Sequence, residues 1–189
     1  VAYDTTLRIV PQVSCESNAA VTFESSNTAV AKIVDNRIQI VGVGITTITA
    51  MQAGAKNYLP AQTEAVLTVI KAPQTISFIL PAQTTFGAIV PSLDASASSG
   101  LAVSYTSTNE AVAKIVNGVL TIVGAGKTTI IAAQLGNGNY ESAISVSREL
   151  TVTKATQSIT FAALPSFTYR DTTIEPQLSI GSGLSIALS

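Results

Sequence analysis

Internal repetition restricts this chain more than any other property. The segment SSNTAVAKIV at 25–34 returns as STNEAVAKIV at 107–116, and VGVGITTI at 41–48 returns as VGAGKTTI at 123–130. The offset is 82 residues, from Asn27 to Asn109 and again from Tyr58 to Tyr140. One residue is then inserted, so that LTVIKAPQTISF at 67–78 meets LTVTKATQSITF at 150–161 at an offset of 83. A third copy starts there: LPSFTYRDTT at 164–173 echoes LPAQTTF at 80–86, and SGLSIALS at 182–189 matches SGLAVSYT at 99–106. A fixed period of this kind marks an array of similar folded units. We therefore expect an incomplete repeat at 1–71, a complete one at 72–154 and the beginning of a third at 155–189, cut as a window from a longer array.

Comparing the copies decides what each unit folds into. Ile130 and Ala132 match Ile48 and Ala50, whereas Ile131 is replaced by Thr49, so apolar character is kept at every second position. That is strand periodicity. By the same alternation Leu101, Val103, Tyr105, Ala113, Ile115, Leu120, Ile122, Leu150 and Val152 are expected to point inward. Their neighbours are Ser, Thr or Lys, as in antiparallel strands wetted on one face. Asn117-Gly118 lies between AKIV and VLTIV. It is a strong hairpin signal, because a type I′ turn needs positive φ at both central residues. The first copy has Asp35-Asn36 there. About seven short strands per unit, separated by frequent turn signals, predict an all-β chain of tandem immunoglobulin-like β-sandwich domains. The linkers Lys71-Ala72-Pro73-Gln74 and Lys154-Ala155-Thr156-Gln157 are too short for a flexible tether. An elongated, semi-rigid rod is expected.

Several functions are excluded on composition. The chain has no histidine, one cysteine and 11% charged residues. It therefore lacks Ser-His-Asp and Cys-His nucleophile sets, the usual zinc ligands and any internal disulfide. The eleven acidic residues are scattered, and the nearest pair of interest, Asp171 and Glu175, reads as loop surface. No catalytic, cofactor-binding or metal-binding residues are expected. A net charge of −1 without a basic cluster argues against nucleic acid. No apolar run reaches the length of a membrane span.

VGAGKTTI imitates a phosphate-binding loop. The genuine loop needs a glycine five residues before the one that precedes the lysine, and that position is Thr121. The first copy also replaces Lys127 with Ile45. We therefore expect the glycines to serve a turn.

The phrase S-S-N-x-A-V-A-x-I-V, followed by a hairpin and V-G-x-G-x-T-T-I-x-A, resembles the bacterial immunoglobulin-like group 2 domain. The flanking K-A-x-Q-x-I-x-F, the nearby L-P and the G-N-x-N-Y loop are similar to tandem repeats of giant Bacteroidota cell-surface proteins, including gliding-motility adhesins. That resemblance implies non-catalytic stalk repeats of an extracellular adhesin, exported by type IX secretion. The expected partners are neighbouring repeats of the same chain and, further, a surface polysaccharide or protein. Two alternatives remain open at this stage: a carbohydrate- or protein-binding module, whose loop 136–140 would hold the ligand, and an accessory domain of a secreted glycosidase. The tripeptides Asp4-Thr5-Thr6 and Asp171-Thr172-Thr173 resemble the O-glycosylation motif of exported Bacteroidota proteins, which makes Thr5 and Thr172 candidate glycosylation sites. Read from the residues alone, the same tripeptide is an Asx-type turn. Cys15 reads as a small, partly buried residue.

Overall fold

The computed structural model describes residues 1–17, 19–54, 57–163 and 178–185. All its regular elements are strands. In the 1–71 segment they are β1 (Arg8–Ile9), β2 (Thr22–Ser25), β3 (Ala31–Val34), β4 (Arg37–Ile40), β5 (Gly44–Gln52) and β6 (Ala61–Val69). In the 72–154 segment they are β7 (Ile76–Ile79), β8 (Gln83–Thr85), β9 (Asp94–Ala97), β10 (Ser104–Ser107), β11 (Ala113–Val116), β12 (Val119–Ile122), β13 (Gly126–Ala133) and β14 (Val146–Thr153). Beyond them lie β15 (Ile159–Phe161) and β16 (Leu178–Ile180).

The fold is an immunoglobulin-like β-sandwich in which repeated sequence gives repeated pairing. One sheet runs β10-β13-β14-β8, and its counterpart in the first segment runs β2-β5-β6. Strand β8 joins β14 in parallel, and Ala2 makes the corresponding parallel bridge to Ile70. Even single bonds recur: Tyr3 N donates to Ile70 O, as Phe86 N donates to Thr153 O. The facing strands pair as β7-β9 and β11-β12 in one segment and as β1-β4-β3 in the other. The two hairpin tips carry positive φ, 49° and 60° at Asp35 and Asn36 and 51° and 77° at Asn117 and Gly118. These are the left-handed values a type I′ turn requires.

Inward-facing residues follow the expected alternation except at Leu101, which is half-buried outside the core cluster. Ala113, Leu120, Ile130, Ala132, Leu150 and Val152 are buried, with Val103, Tyr105, Ile115 and Ile122 packed against them. Phe78 and Leu80 complete this single core. Among the described residues of the first segment the core is smaller and divided. One cluster holds Val30, Ile40 and Val69, the other Ala31, Ile38 and Ile48.

The repeated S-[ST]-N and T-T motifs explain each other. Thr46 and Thr128 are buried threonines on β5 and β13. Thr128 Oγ1 lies 2.8 Å from Ser107 Oγ and accepts the Asn109 N–H at 3.0 Å; Thr46 does the same with Ser25 and Asn27 at 2.8 and 3.0 Å. Buried hydroxyls need such partners, so each motif satisfies the other across the sheet.

Candidate functional site at the joint between repeats

Among the described residues, an extended polar arrangement surrounds the linker at 71–74. Strand β6 ends at Val69, and the chain continues through Ala72, which is buried and forms a parallel bridge with Tyr140. The Ala72 N–H donates to Asn139 O at 2.9 Å, and Ala72 O accepts from Glu141 N at 2.9 Å. The linker thus enters the next repeat as a hydrogen-bonded strand edge.

The loop that receives it is built by its own sequence, GNGNY. Asn137 Oδ1 accepts from the N–H groups of Asn139 and Tyr140 at 2.8 and 3.0 Å, the side-chain-to-backbone bonding for which asparagine is favoured in turns. Gly136 has φ 77°, and a Cβ there would lie 2.7 Å from Glu141 O. Only glycine suits that position. The shaped loop then reaches the first repeat twice. Asn139 Oδ1 accepts from Val43 N at 3.2 Å, inside the V-G-V-G turn. The Tyr140 ring stands edge-on to Tyr3, with centroids 5.4 Å apart and an interplanar angle of 87°, a favourable aromatic geometry.

Gln74 fixes the far side of the linker. It is buried; its Nε2 donates to Glu141 O at 2.6 Å and to Gln134 Oε1, while its Oε1 accepts from Ser99 Oγ. Gln157, its counterpart one repeat later, accepts from Ser182 Oγ at 2.9 Å. The Ser–Gln bond thus recurs at both linkers, but only Gln74 is buried, whereas Gln157 is exposed. Sequence reading placed Gln74 in a short linker and gave it no role, although its recurrence was the available signal.

The imitation of a phosphate loop is occupied by the fold itself. Val123 N and Gly124 N both donate to Val112 O, at 2.8 and 3.2 Å, as Val41 and Gly42 donate to Val30 O. Those N–H groups are directed into the protein rather than toward a ligand. Lys127 is exposed and pairs with Glu149 at 3.0 Å.

Of the candidate modification sites, Thr5 is exposed in a turn closed by Asp4, whose Oδ1 accepts from Thr6 N at 2.8 Å and Thr6 Oγ1 at 2.7 Å. The Thr6 hydroxyl, and then its N–H, hold the Asp4 carboxyl below its ordinary range. The Asx-type turn is thus present, and it leaves the Thr5 side chain outward. Thr172, with Asp171 and Glu175, lies outside the described residues. Cys15 is partly buried, and its thiol, 3.0 Å from Ser17 Oγ, is lowered in pKa chiefly by that hydroxyl. Among the described residues no group of three or more His, Cys, Asp or Glu could hold a metal ion, and no helix is long and apolar enough to cross a membrane.

No protein-family model and no curated protein matches the chain. Similar solved structures include domains 4–9 of the surface-layer protein SbsC, 16% identical over 85% of this chain with a TM-score of 0.36. A SusE-like, surface-located polysaccharide-binding protein from the Bacteroides thetaiotaomicron heparin utilisation locus is 18% identical over 70% of this chain, with a TM-score of 0.30. The first two repeats of a human mucin-like protocadherin are 11% identical over 72% of this chain, with a TM-score of 0.34. This chain spans 27%, 29% and 83% of those structures respectively.

Proposed function

We propose that the chain is a non-catalytic structural module of an extracellular surface protein, in which repeats 1–71, 72–154 and 155–189 form part of a stalk that holds an adhesive or gliding-motility tip away from the cell. The observation that carries this reading is the joint. The loop best suited by composition to hold a ligand instead engages the linker through Asn139 and Glu141 and the preceding repeat through Asn139 and Tyr140. A module selected for binding would keep those groups free; a stalk needs them to resist bending. Cell-surface location and type IX export rest on the resemblance of the repeat motifs.

The test is small-angle scattering. Strands rise ~3.4 Å per residue, so two and a third sandwiches joined end to end give a rod of roughly 100 Å. The wild-type chain is expected to scatter as that rod, and the N139A/Y140A variant as two hinged bodies with unchanged circular dichroism. A compact wild-type particle, or a variant as stiff as wild type, would refute the stalk. Co-sedimentation with surface polysaccharides distinguishes the alternative, because a ligand-binding module pellets with its glycan and a stalk does not.

Thr5 and Thr172 are proposed as O-glycosylated in the native envelope. Thr5 supports this by its exposure beside the Asp4 turn. In a protein with 11% charged residues, glycans would add hydration and hinder self-association. Mass spectrometry of native material is expected to find glycan on peptides covering both threonines; recovery of both wholly unmodified would end the idea.

A further inference from the structure

The chain contains two Asn-Gly pairs, Asn117-Gly118 and Asn137-Gly138, both in the second repeat and both exposed. In such a pair the glycine nitrogen lies close to the carbonyl carbon of the asparagine side chain, and with no Cβ to hinder it, an attack within the chain is favoured by proximity. The two dipeptides are chemically alike. Their surroundings are not.

Asn117 and Gly118 form the tip of the β11-β12 hairpin, with φ 51° and 77°. Val116 and Val119, the pair that closes this tip, are 45% and 63% exposed, and a Cβ on Gly118 would meet nothing within 4 Å. Opening the tip therefore uncovers little apolar surface, and such local openings are the easiest in a fold. Asn137 is held differently. Its Oδ1 accepts from the N–H groups of Asn139 and Tyr140 at 2.8 and 3.0 Å. The residues that follow are pinned to the linker and to the first repeat: Asn139 O accepts from Ala72 N, Glu141 N donates to Ala72 O, and Asn139 Oδ1 accepts from Val43 N. Rearranging the backbone at Asn137 thus breaks bonds of the joint.

We propose that Asn117 is a site of deamidation by water, and that the joint shields Asn137 from the same reaction. A base removes the Gly118 N–H proton, the nitrogen attacks Asn117 Cγ, and the Cγ–NH2 bond breaks as ammonia leaves with a proton. Water then opens the resulting succinimide at one of its two carbonyls, giving aspartate or isoaspartate; no oxidant or reductant takes part. The aspartate product suits the turn, because the first repeat already carries Asp35 at the matching position with φ 49°. At Asn137 the isoaspartate product would lengthen the loop backbone by one carbon and carry Asn139 and Tyr140 out of reach of the first repeat. Modification there marks a joint that has opened. This chemistry depends on the observed contacts and stands apart from the stalk reading.

The test uses the full chain, incubated at mildly alkaline pH and mapped by mass spectrometry for the mass gain of an amide-to-acid exchange. Losing two or more net hydrogen bonds lowers an open population by about tenfold or more, so Asn117 is expected to convert at least about tenfold faster than Asn137. In concentrated urea the two rates are expected to converge. Asn117→Asp should leave circular dichroism unchanged, and Tyr3→Ala, which removes the ring stacked on Tyr140, should speed Asn137 without altering Asn117. Equal rates in the folded chain, or a folded chain that keeps both amides while urea releases them, would overturn the proposal. A rate difference that persists in urea would trace it to local sequence instead of the fold, and a Tyr3→Ala chain with Asn137 as slow as in the wild type would remove the joint as the shield.

Discussion

Replacing Phe78 with alanine is expected to destabilise the 72–154 repeat by ~3–5 kcal/mol, the usual cost of emptying a buried phenylalanine site. The ring is 2% exposed and clusters with Leu80, Ile130 and Leu150, so truncation leaves a cavity between the two sheets. Small domains are stable by only ~5–15 kcal/mol, and the loss is therefore a large part of the whole. The adjacent Ile79 supplies the control, since it is 66% exposed on the other face of the same strand. Ile79→Ala is expected to change stability by no more than ~0.5 kcal/mol. Urea unfolding followed by circular dichroism measures both. An F78A midpoint as little shifted as that of I79A would mean that β7 adds edge pairing but no core.

Much of this fold could be read before any coordinates were known, for a reason visible in the residues. Two aligned copies separate what a strand needs from what a position merely tolerates: Ile131 against Thr49 identified the outward face, and the hairpin at Asn117-Gly118 followed from its φ requirement. Pairing between strands close in sequence was legible for the same reason. The joint was not. The Val43–Asn139 bond spans two repeats, and neither residue shows a preference within its own repeat that reveals the other. Gln74 was hidden because a polar residue in a linker reads as solvated, yet it is buried with partners from Ser99, Gln134 and Glu141. Alternation reports which face a side chain takes, and it is silent about what stands on the other side of that face.

The VGAGKTTI segment provides the sharpest contrast between what a motif suggests and what the fold requires of it. Gly126 has φ 148°, outside the range that residues with a side chain readily adopt, and a Cβ there would meet Val112 Cγ2 at 2.7 Å. Val112 is itself buried, so it cannot swing into solvent to make room. Backbone strain of ~1–3 kcal/mol and overpacking of ~1–3 kcal/mol act together, and G126A is expected to cost at least ~2 kcal/mol. Gly124 has no positive φ, but its Cβ would stand 2.9 Å from Ala111 O, a backbone atom fixed by the turn. G124A should therefore destabilise by the overpacking contribution alone. Lys127, the residue a phosphate loop could least do without, sits in an exposed ion pair with Glu149, with both side chains more than 60% exposed. Such pairs contribute ~0.2–1 kcal/mol at most, so K127A is expected to unfold almost as the wild type does. The order G126A, then G124A, then K127A is what a steric role for the glycines demands. Thermal unfolding of the three variants with and without magnesium nucleotide decides between the roles: a nucleotide-dependent rise in Tm that K127A abolishes would restore the phosphate loop, whereas a rank order unaffected by nucleotide leaves the glycines as the packing surface beneath the S-[ST]-N-x-A-V turn.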